Sequence, residues 1–185
     1  MVIMNYLNIT KEDVCNGDGL RVVLWLSGCS HRCYNCQNPQ TWDPNNGVVF
    51  DDAAKQEIFT ELSKDYVSGV TFSGGDPLYE GNLPEVLSLI KEIRKSFPDK
   101  TIWLYTGYTW EDIWEDSNII IDEYTLRIHM EYKERQEIVS LCDVVVDGEY
   151  IDKERDVTLK WCGSKNQKVI AIKETLETHK VVIYV

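Results

Sequence analysis

No run of basic residues, no apolar stretch long enough to cross a bilayer and no secretory start occurs in this 185-residue chain. Each absence removes a class of function. Proteins hold nucleic acid largely by neutralising phosphates with Lys and Arg. Here 19 basic residues face 31 acidic ones for a net charge of −12, so no nucleic-acid partner is expected. A spanning helix needs roughly 20 predominantly apolar residues, so no membrane partner is expected either. Residues 1–5 lack a basic start, and no apolar core with a small-residue cleavage site follows them, which leads to the expectation of a cytoplasmic protein. In that compartment six cysteines argue for metal or redox use rather than for a disulfide framework. Repeats, linkers and low-complexity segments are missing too. With 43% hydrophobic and 27% charged residues, the length suits one buried core, and residues 1–185 read as a single domain.

Strand-like and helix-like segments alternate along the chain, the pattern of a parallel sheet with crossover helices. Residues 21–26 are the first clear strand. Residues 51–66 read as a helix, with Ile58, Phe59, Leu62 and Tyr66 at three- and four-residue intervals on one face. A strand over 67–72 then ends in Ser73-Gly74-Gly75-Asp76-Pro77. Asn82 reads as a helix cap with Pro84 in the first turn, and that helix runs through Val86, Ile90, Ile93 and Phe97 until Pro98 stops it. Residues 101–105 are the next strand, followed by a short helical piece from Trp110. The region 117–132 reads two ways, with 119–121 as a candidate strand, while 131–141 reads as helix. Residues 143–146 form a buried strand ending in Asp147-Gly148. Residues 168–172 and 181–185 close the chain as strands, the last on an edge.

The densest chemical signal is Ser27-Gly28-Cys29-Ser30-His31-Arg32-Cys33-Tyr34-Asn35-Cys36, directly after the first strand. Thiolates are soft, tightly binding metal ligands, and a short loop carrying three of them can hold one face of an iron–sulfur cluster. Three protein ligands leave one iron open to a substrate or cofactor. The spacing C-x3-C-x2-C resembles the signature of the radical S-adenosylmethionine enzymes, in which three cysteines hold a 4Fe-4S cluster and the methionine amino and carboxylate groups chelate the fourth iron. A plainer reading stands beside it: His31 can complete a Cys3His set for structural zinc, although such sites usually draw their ligands from two separated pairs. Cys15, Cys142 and Cys162 are scattered and read as small buried hydrophobes, Cys162 less clearly than the others.

In parallel sheets and barrels, ligands bind at the carboxyl ends of the strands. Four candidate clusters occupy such positions: the cysteine loop, Gly74-Gly75-Asp76-Pro77, Thr106-Gly107-Tyr108 and Asp147-Gly148. Glycine pairs let backbone approach a ligand closely, though a Gly-Gly-Asp-Pro string is also an ordinary turn. Asp76 and Asp147 can orient a cofactor or simply cap turns. Arg21 reads as the partner of a carboxylate, either of a cofactor or of the chain. Six tryptophans and ten tyrosines are read as packing rather than as a radical relay.

Further motifs narrow the resemblance. Asn16-Gly17-Asp18-Gly19 with Arg21, the cysteine loop with His31, Asn38, Thr41-Trp42, Gly47, Ser73 to Leu78, Trp103 to Tyr108, Asp147-Gly148 and Trp161 to Gln167 follow one another from about residue 5 to residue 172. Together they resemble the activating proteins of the class III, anaerobic ribonucleotide reductases. The resemblance implies an α/β fold of the radical-SAM type, a partial (β/α) barrel of mostly parallel strands. It implies a 4Fe-4S cluster on Cys29, Cys33 and Cys36, and S-adenosyl-L-methionine as cofactor. Cofactor contacts are expected from Asn35, Cys36, Gln37, Gly74, Gly75, Asp76, Thr106 and Asp147. The expected partners are the large reductase subunit, on which a glycine loses a hydrogen atom to leave a glycyl radical, and an external one-electron donor such as flavodoxin.

The chain departs from that pattern in three places. Position 35 is commonly glycine in such proteins and is Asn35 here, Gln37 stands where tyrosine is frequent, and extra residues lie between Trp114 and Leu141 as a partner-specific insertion. Two other functions stay open on sequence alone: a radical enzyme acting on a different glycyl-radical partner, a peptide or a small molecule, and a zinc or iron–sulfur module without catalysis.

Overall fold

Period-two alternation sorts the strands into two faces. In β2 (Arg21–Leu26), Val22, Leu24 and Leu26 join the main apolar core, while Arg21, Val23 and Trp25 turn the other way. The computed structural model describes residues 4–114 and 123–185. Its seven-stranded sheet runs in the order β3 (Val48–Val49), β1 (Asn5–Asp13), β2, β4 (Gly69–Gly74), β5 (Thr101–Tyr105), β6 (Val144–Asp147) and β7 (Lys168–Ala171). The four central strands β2, β4, β5 and β6 are parallel, and β1, β3 and β7 pair antiparallel at the two edges. This is an α/β fold built on a mostly parallel, mixed sheet.

Helices α1 (Asp52–Leu62), α2 (Leu83–Ser96) and α4 (Glu123–Ser140) connect the parallel strands, with the short α3 (Trp110–Trp114) before α4 and α5 (Ile172–Thr178) after β7. Successive parallel neighbours stepping in one direction place their crossover helices on one face. Ile58 and Leu62 of α1, Val86, Ile90 and Ile93 of α2, and Ile138 and Val139 of α4 accordingly share one core with Val22, Leu24, Val70, Phe72, Ile102, Leu104 and Val145. The opposite face carries Arg21, Thr71, Trp103 and Tyr105.

Across that second face lies the loop from β1 to β2. Thr71 Oγ1 donates to the Asn16 carbonyl over 2.7 Å, and Arg21 Nη1 donates to the Asp18 carbonyl over 2.9 Å. Gly17 has φ +132°, and a Cβ there would sit 2.7 Å from Arg21 Cδ and 2.9 Å from Trp103 Cδ2, so only glycine fits the plug. Arg21 itself is fully buried and meets carbonyls and hydroxyls, not a carboxylate. Nε donates to Thr71 Oγ1 (2.7 Å), and Nη2 donates to the carbonyls of Val70 (2.7 Å) and Thr101 (2.9 Å). Burial lowers its pKa to about 10. The expected carboxylate partner is therefore replaced by a purely structural role at the amino ends of the strands.

Several boundaries differ from the sequence reading for local reasons. α1 begins one residue later than expected, because Asp51 caps it, Oδ1 accepting from Ala54 N at 2.9 Å, and it ends at Leu62 rather than 66. Asn82 precedes α2 without capping it, because its amide donates instead to the carbonyls of Ser27 (2.9 Å) and Asp76 (3.0 Å). β1 escaped the sequence reading because register shifts between Tyr6 and Asn8 and between Thr10 and Asp13 break its alternation. The closing strand over 181–185 reduces to a single bridge from Ile170 to Ile183, and α5 takes the residues before it. The candidate strand at 119–121 lies outside the described residues. The end of α4 packs into the fold: Ile138 and Val139 are fully buried, and Arg135 Nε donates to the Leu78 carbonyl over 3.0 Å. No helix among the described residues is long and apolar enough to cross a membrane.

Candidate functional site

The cysteine loop leaves the carboxyl end of β2 and is bolted at its root. Gly28, at φ +96°, donates its N–H to the Thr41 carbonyl (2.8 Å) and accepts from Asp76 N (2.8 Å), while Gly75 N donates to the Leu26 carbonyl (2.8 Å). Cys29 N reaches the Trp42 carbonyl at 3.2 Å. The β2 and β4 loops thus form one backbone-linked unit. Further on, Arg32 (φ +49°) and Asn35 (φ +55°) turn the loop through left-handed conformations. That value at position 35 explains the departure from glycine, since asparagine is among the few other residues that tolerate the left-handed region.

Of the three sulfurs, that of Cys36 accepts a backbone hydrogen bond, from Asn38 N at 3.4 Å. Burial, followed by the charge of Asp76, pushes the Cys29 thiol up to about 11, and burial raises that of Cys33. Without metal these thiols therefore hold their protons, and a cation must displace them. Three cysteines of one short loop on one cavity wall, one of them accepting a backbone N–H, suit an iron–sulfur cluster, whose ligating sulfurs accept such bonds. They suit zinc less well, because both nitrogens of His31 are already engaged. Its Nδ1 lies 2.9 Å from Glu149 Oε1 and its Nε2 lies 2.9 Å from Asp76 Oδ2. Burial works against a charged ring there, but Asp76 and then Glu149 outweigh it and raise the His31 pKa to about 9. Among the described residues no three ligating side chains gather closely enough to share a single ion. A cube that offers each thiolate its own iron does not require them to.

A cavity of about 510 Å³ opens beside the sulfurs at the carboxyl ends of the parallel strands. Cys29, Cys33, Cys36, Gln37, Gly74, Gly75, Asp76 and Thr106 all lie on its wall, so the structure brings these predicted residues together. Asn35 and Asp147 are not on that wall. Asp147 shares the strand parity of Val145, which turns it toward the helix-covered face. There its Oδ2 accepts from Trp110 N (2.8 Å) and its Oδ1 from Lys168 N (2.9 Å), tying β6 to α3 and β7. Its neighbour Gly148 lines the cavity instead. Of the scattered cysteines, only Cys142 is buried; Cys15 is exposed, Cys162 is half-buried, and both line the cavity. Trp42 Nε1 and the Tyr105 hydroxyl, on wall residues, are buried without a protein partner, which suits a cavity built for a polar ligand.

Comparison with known proteins decides the family. Residues 15–170 match the family described as a 4Fe-4S single cluster domain. The chain is 38% identical to the anaerobic ribonucleoside-triphosphate reductase-activating protein of Enterobacteria phage T4, over 90% of this chain and 93% of that one. It is 36% identical to the protein of the same name from Haemophilus influenzae (89% and 96% covered) and 36% identical to that from Escherichia coli (90% and 97%). The chain belongs to this family of activating proteins. A 4Fe-4S cluster is therefore its cofactor, and the three thiols on the cavity wall are the natural candidates to hold it.

Within the activating-protein family's motif Trp161 to Gln167, the structure shows what the sequence did not. Gln167 Oε1 accepts from Gly163 N (2.9 Å) and its Nε2 donates to the Gly148 carbonyl (2.9 Å), folding the segment after β6 into a wall of the cavity. Glu149 and Tyr150 on that segment gave no sequence signal, since neither stands in a spacing pattern.

Gly75 gives the first prediction. A Cβ at this position would overlap the Gly28 carbonyl oxygen and lie 3.0 Å from that of Thr41, so Gly75→Val must push the cysteine loop off its root. Iron loading and S-adenosylmethionine binding should fall together, measured by iron content and by titration. Binding lost with loading intact would instead place the valine against the ligand alone.

Proposed function

We propose that this protein activates an anaerobic ribonucleotide reductase by generating a glycyl radical on its large subunit, with S-adenosyl-L-methionine as the second cofactor. The observation that carries this reading is the convergence of three cysteines of one loop and the glycine-lined loops on one cavity, in a chain of this family. Held by Cys29, Cys33 and Cys36, the cluster would supply, together with S-adenosylmethionine and an external one-electron donor such as flavodoxin, the radical chemistry by which a glycine of the reductase loses a hydrogen atom.

The chain's own residues bind, orient and shield. Cys29, Cys33 and Cys36 hold the cluster. Gly74 and Gly75 bring backbone close to the cofactor, Cys36 and Gln37 form the wall beside it, and Thr106 and Asp76 set the position of that wall. Asn35 serves the same wall through its left-handed turn, and Asp147 by placing Gly148. We read residues 1–185 as one domain because a single sheet runs from β3 to β7. A partial barrel is supported by parallel strands with helices on one face and the cavity on the other. The cavity's open side admits the reductase's glycine-bearing segment, which completes the enclosure. Cytoplasmic location follows from chemistry that needs reduced thiols and a supply of low-potential electrons.

The test uses reconstituted protein, reductant, S-adenosylmethionine and the cognate reductase without oxygen. Formation of 5'-deoxyadenosine should accelerate when the reductase is added, and a glycyl doublet should appear by electron paramagnetic resonance on the reductase chain. Replacing its radical glycine by alanine should abolish the doublet. A reductase that stays radical-free beside a loaded cluster, while another protein or a small molecule is modified, would overturn the assignment.

A further inference from the structure

Helix α4 is longer than the strand it leads into. Its 18 residues span about 27 Å, whereas the four residues of β6 span about 13 Å. Because α4 ends at the amino end of β6, it runs against the strand direction, and its first residues stand at the carboxyl end of the sheet, where the cavity opens. Contacts with α2, which runs the same way, fix the overhang. Lys91 pairs with Glu137 at 2.6 Å, and Arg94 Nε donates to the Leu141 carbonyl at 2.8 Å. On that register Leu83, the first residue of α2, stands level with residues 129 and 130, so residues 123–129 project past it by about 10 Å.

The base of this arm is mounted on the cavity wall. Arg135 is buried, donates from Nε to the Leu78 carbonyl (3.0 Å), and holds its guanidinium 4.7 Å from the centre of the Tyr108 ring. Tyr108 meets His31 edge-on at 4.7 Å, and His31 lines the cavity. Two side-chain contacts thus separate α4 from the wall. The arm itself turns apolar groups to water: Tyr124 is 63% exposed, Leu126 43% and Met130 56%. Leu126 and Met130 stand one turn apart on one face, and Arg127 lies over the Tyr124 ring at 5.8 Å beside them. Single exposed apolar residues are ordinary, but several gathered on one projecting element mark an interaction surface.

We propose that Tyr124, Leu126 and Met130 form a docking surface for the protein substrate, the reductase chain whose glycine-bearing segment enters the cavity. The inference rests on the function proposed above. Position selects this occupant. A protein that delivers a backbone glycine into the cavity must lie across the carboxyl ends of the strands, and an arm rising about 10 Å past α2 at that end meets its flank. A second copy of this chain seated there would crowd the same entrance. Apolar contact beside the cavity adds affinity and holds the substrate in register without touching the reacting atoms.

Leu126→Glu and Met130→Glu put a charge into that contact at exposed positions, where the core is not disturbed. With loaded protein, reductant and S-adenosylmethionine, each should raise about tenfold the reductase concentration that gives half-maximal glycyl-radical formation. Cleavage of S-adenosylmethionine without reductase should stay at the wild-type rate. Val48→Glu, on the exposed sheet edge remote from β6, adds the same charge away from the arm and should change neither. Half-saturation that is unchanged in the arm variants, or raised equally by V48E, overturns the proposal and leaves the activase reading intact. So does a wild-type dimer that the arm variants split while half-saturation stays unchanged, since the face then belongs to a second copy. Should a variant lose its cluster, the affinity of the cluster-free protein for the reductase is measured instead, and a value equal to that of the cluster-free wild type overturns the proposal. A loaded wild type that leaves the reductase without a glycyl radical overturns the reading and this docking surface together.

Discussion

Alanine at Cys29, Cys33 or Cys36 should abolish iron–sulfur loading, while Cys142→Ala should leave it intact. Each substitution in the loop removes one of only three thiolate anchors, and two thiolates do not retain a cube that needs a ligand at each of three irons. The remaining thiols cannot substitute. Cys142 is buried in the helix-side core, where its Sγ donates to the Ile138 carbonyl at 3.3 Å and burial drives its pKa far up, so it neither reaches the cavity nor ionises. Its loss should cost about 1 kcal/mol of packing. Cys15 and Cys162 make the sharper control because they line the cavity. Their alanine variants should also load, since neither belongs to the short loop that carries the three candidate ligands. Iron and sulfide content and the visible absorption of the reconstituted proteins decide it. Equal loss in the Cys142 variant would show that the ligand set is wrong.

What could be read from the sequence tracks what is local. The three-cysteine spacing, the glycine pair at the end of β4 and the strands Arg21–Leu26 and Thr101–Tyr105 are all written in neighbouring residues, and the structure places them as expected. Long-range pairings were not legible. Arg21 looked like a carboxylate partner because a buried guanidinium usually has one. Its five hydrogen bonds go instead to hydroxyls and carbonyls supplied by the plug loop and the strands beside it. Asn82 had the identity of a cap, yet its amide is drawn to Ser27 and Asp76, which only the fold brings near. Asp147 was placed on the cavity because it ends a strand; the parity of β6 sends its side chain to the other face. Glu149 carried no motif, and its contact with His31 of the cysteine loop exists only once β6 lies two strands away from β4 in the sheet.

The second large effect is expected at Asp76. Its carboxylate is 2% exposed and surrounded by the chain's own donors. Oδ1 accepts from Leu78 N (2.8 Å), and Oδ2 accepts from Gly107 N (2.9 Å) and Thr106 Oγ1 (3.0 Å) while facing His31 Nε2 at 2.9 Å. One side chain thereby joins the β4 loop, the end of β5 and the cysteine loop. Asp76→Ala would strand those donors and leave the His31 imidazole with only the half-exposed Glu149 as counter-charge, a change that costs about 3–5 kcal/mol for a broken buried pair. Against a total stability of roughly 5–15 kcal/mol, that is a large fraction. Asp76→Asn should be milder, because an amide oxygen still accepts from one N–H while its NH2 group opposes another donor. Urea unfolding of the cluster-free proteins, followed by circular dichroism, measures both. An aspartate acting chiefly on bound S-adenosylmethionine would leave these curves unchanged and weaken only cofactor binding. With no ligand in the tube, a shifted midpoint can come only from the contacts Asp76 makes inside the fold.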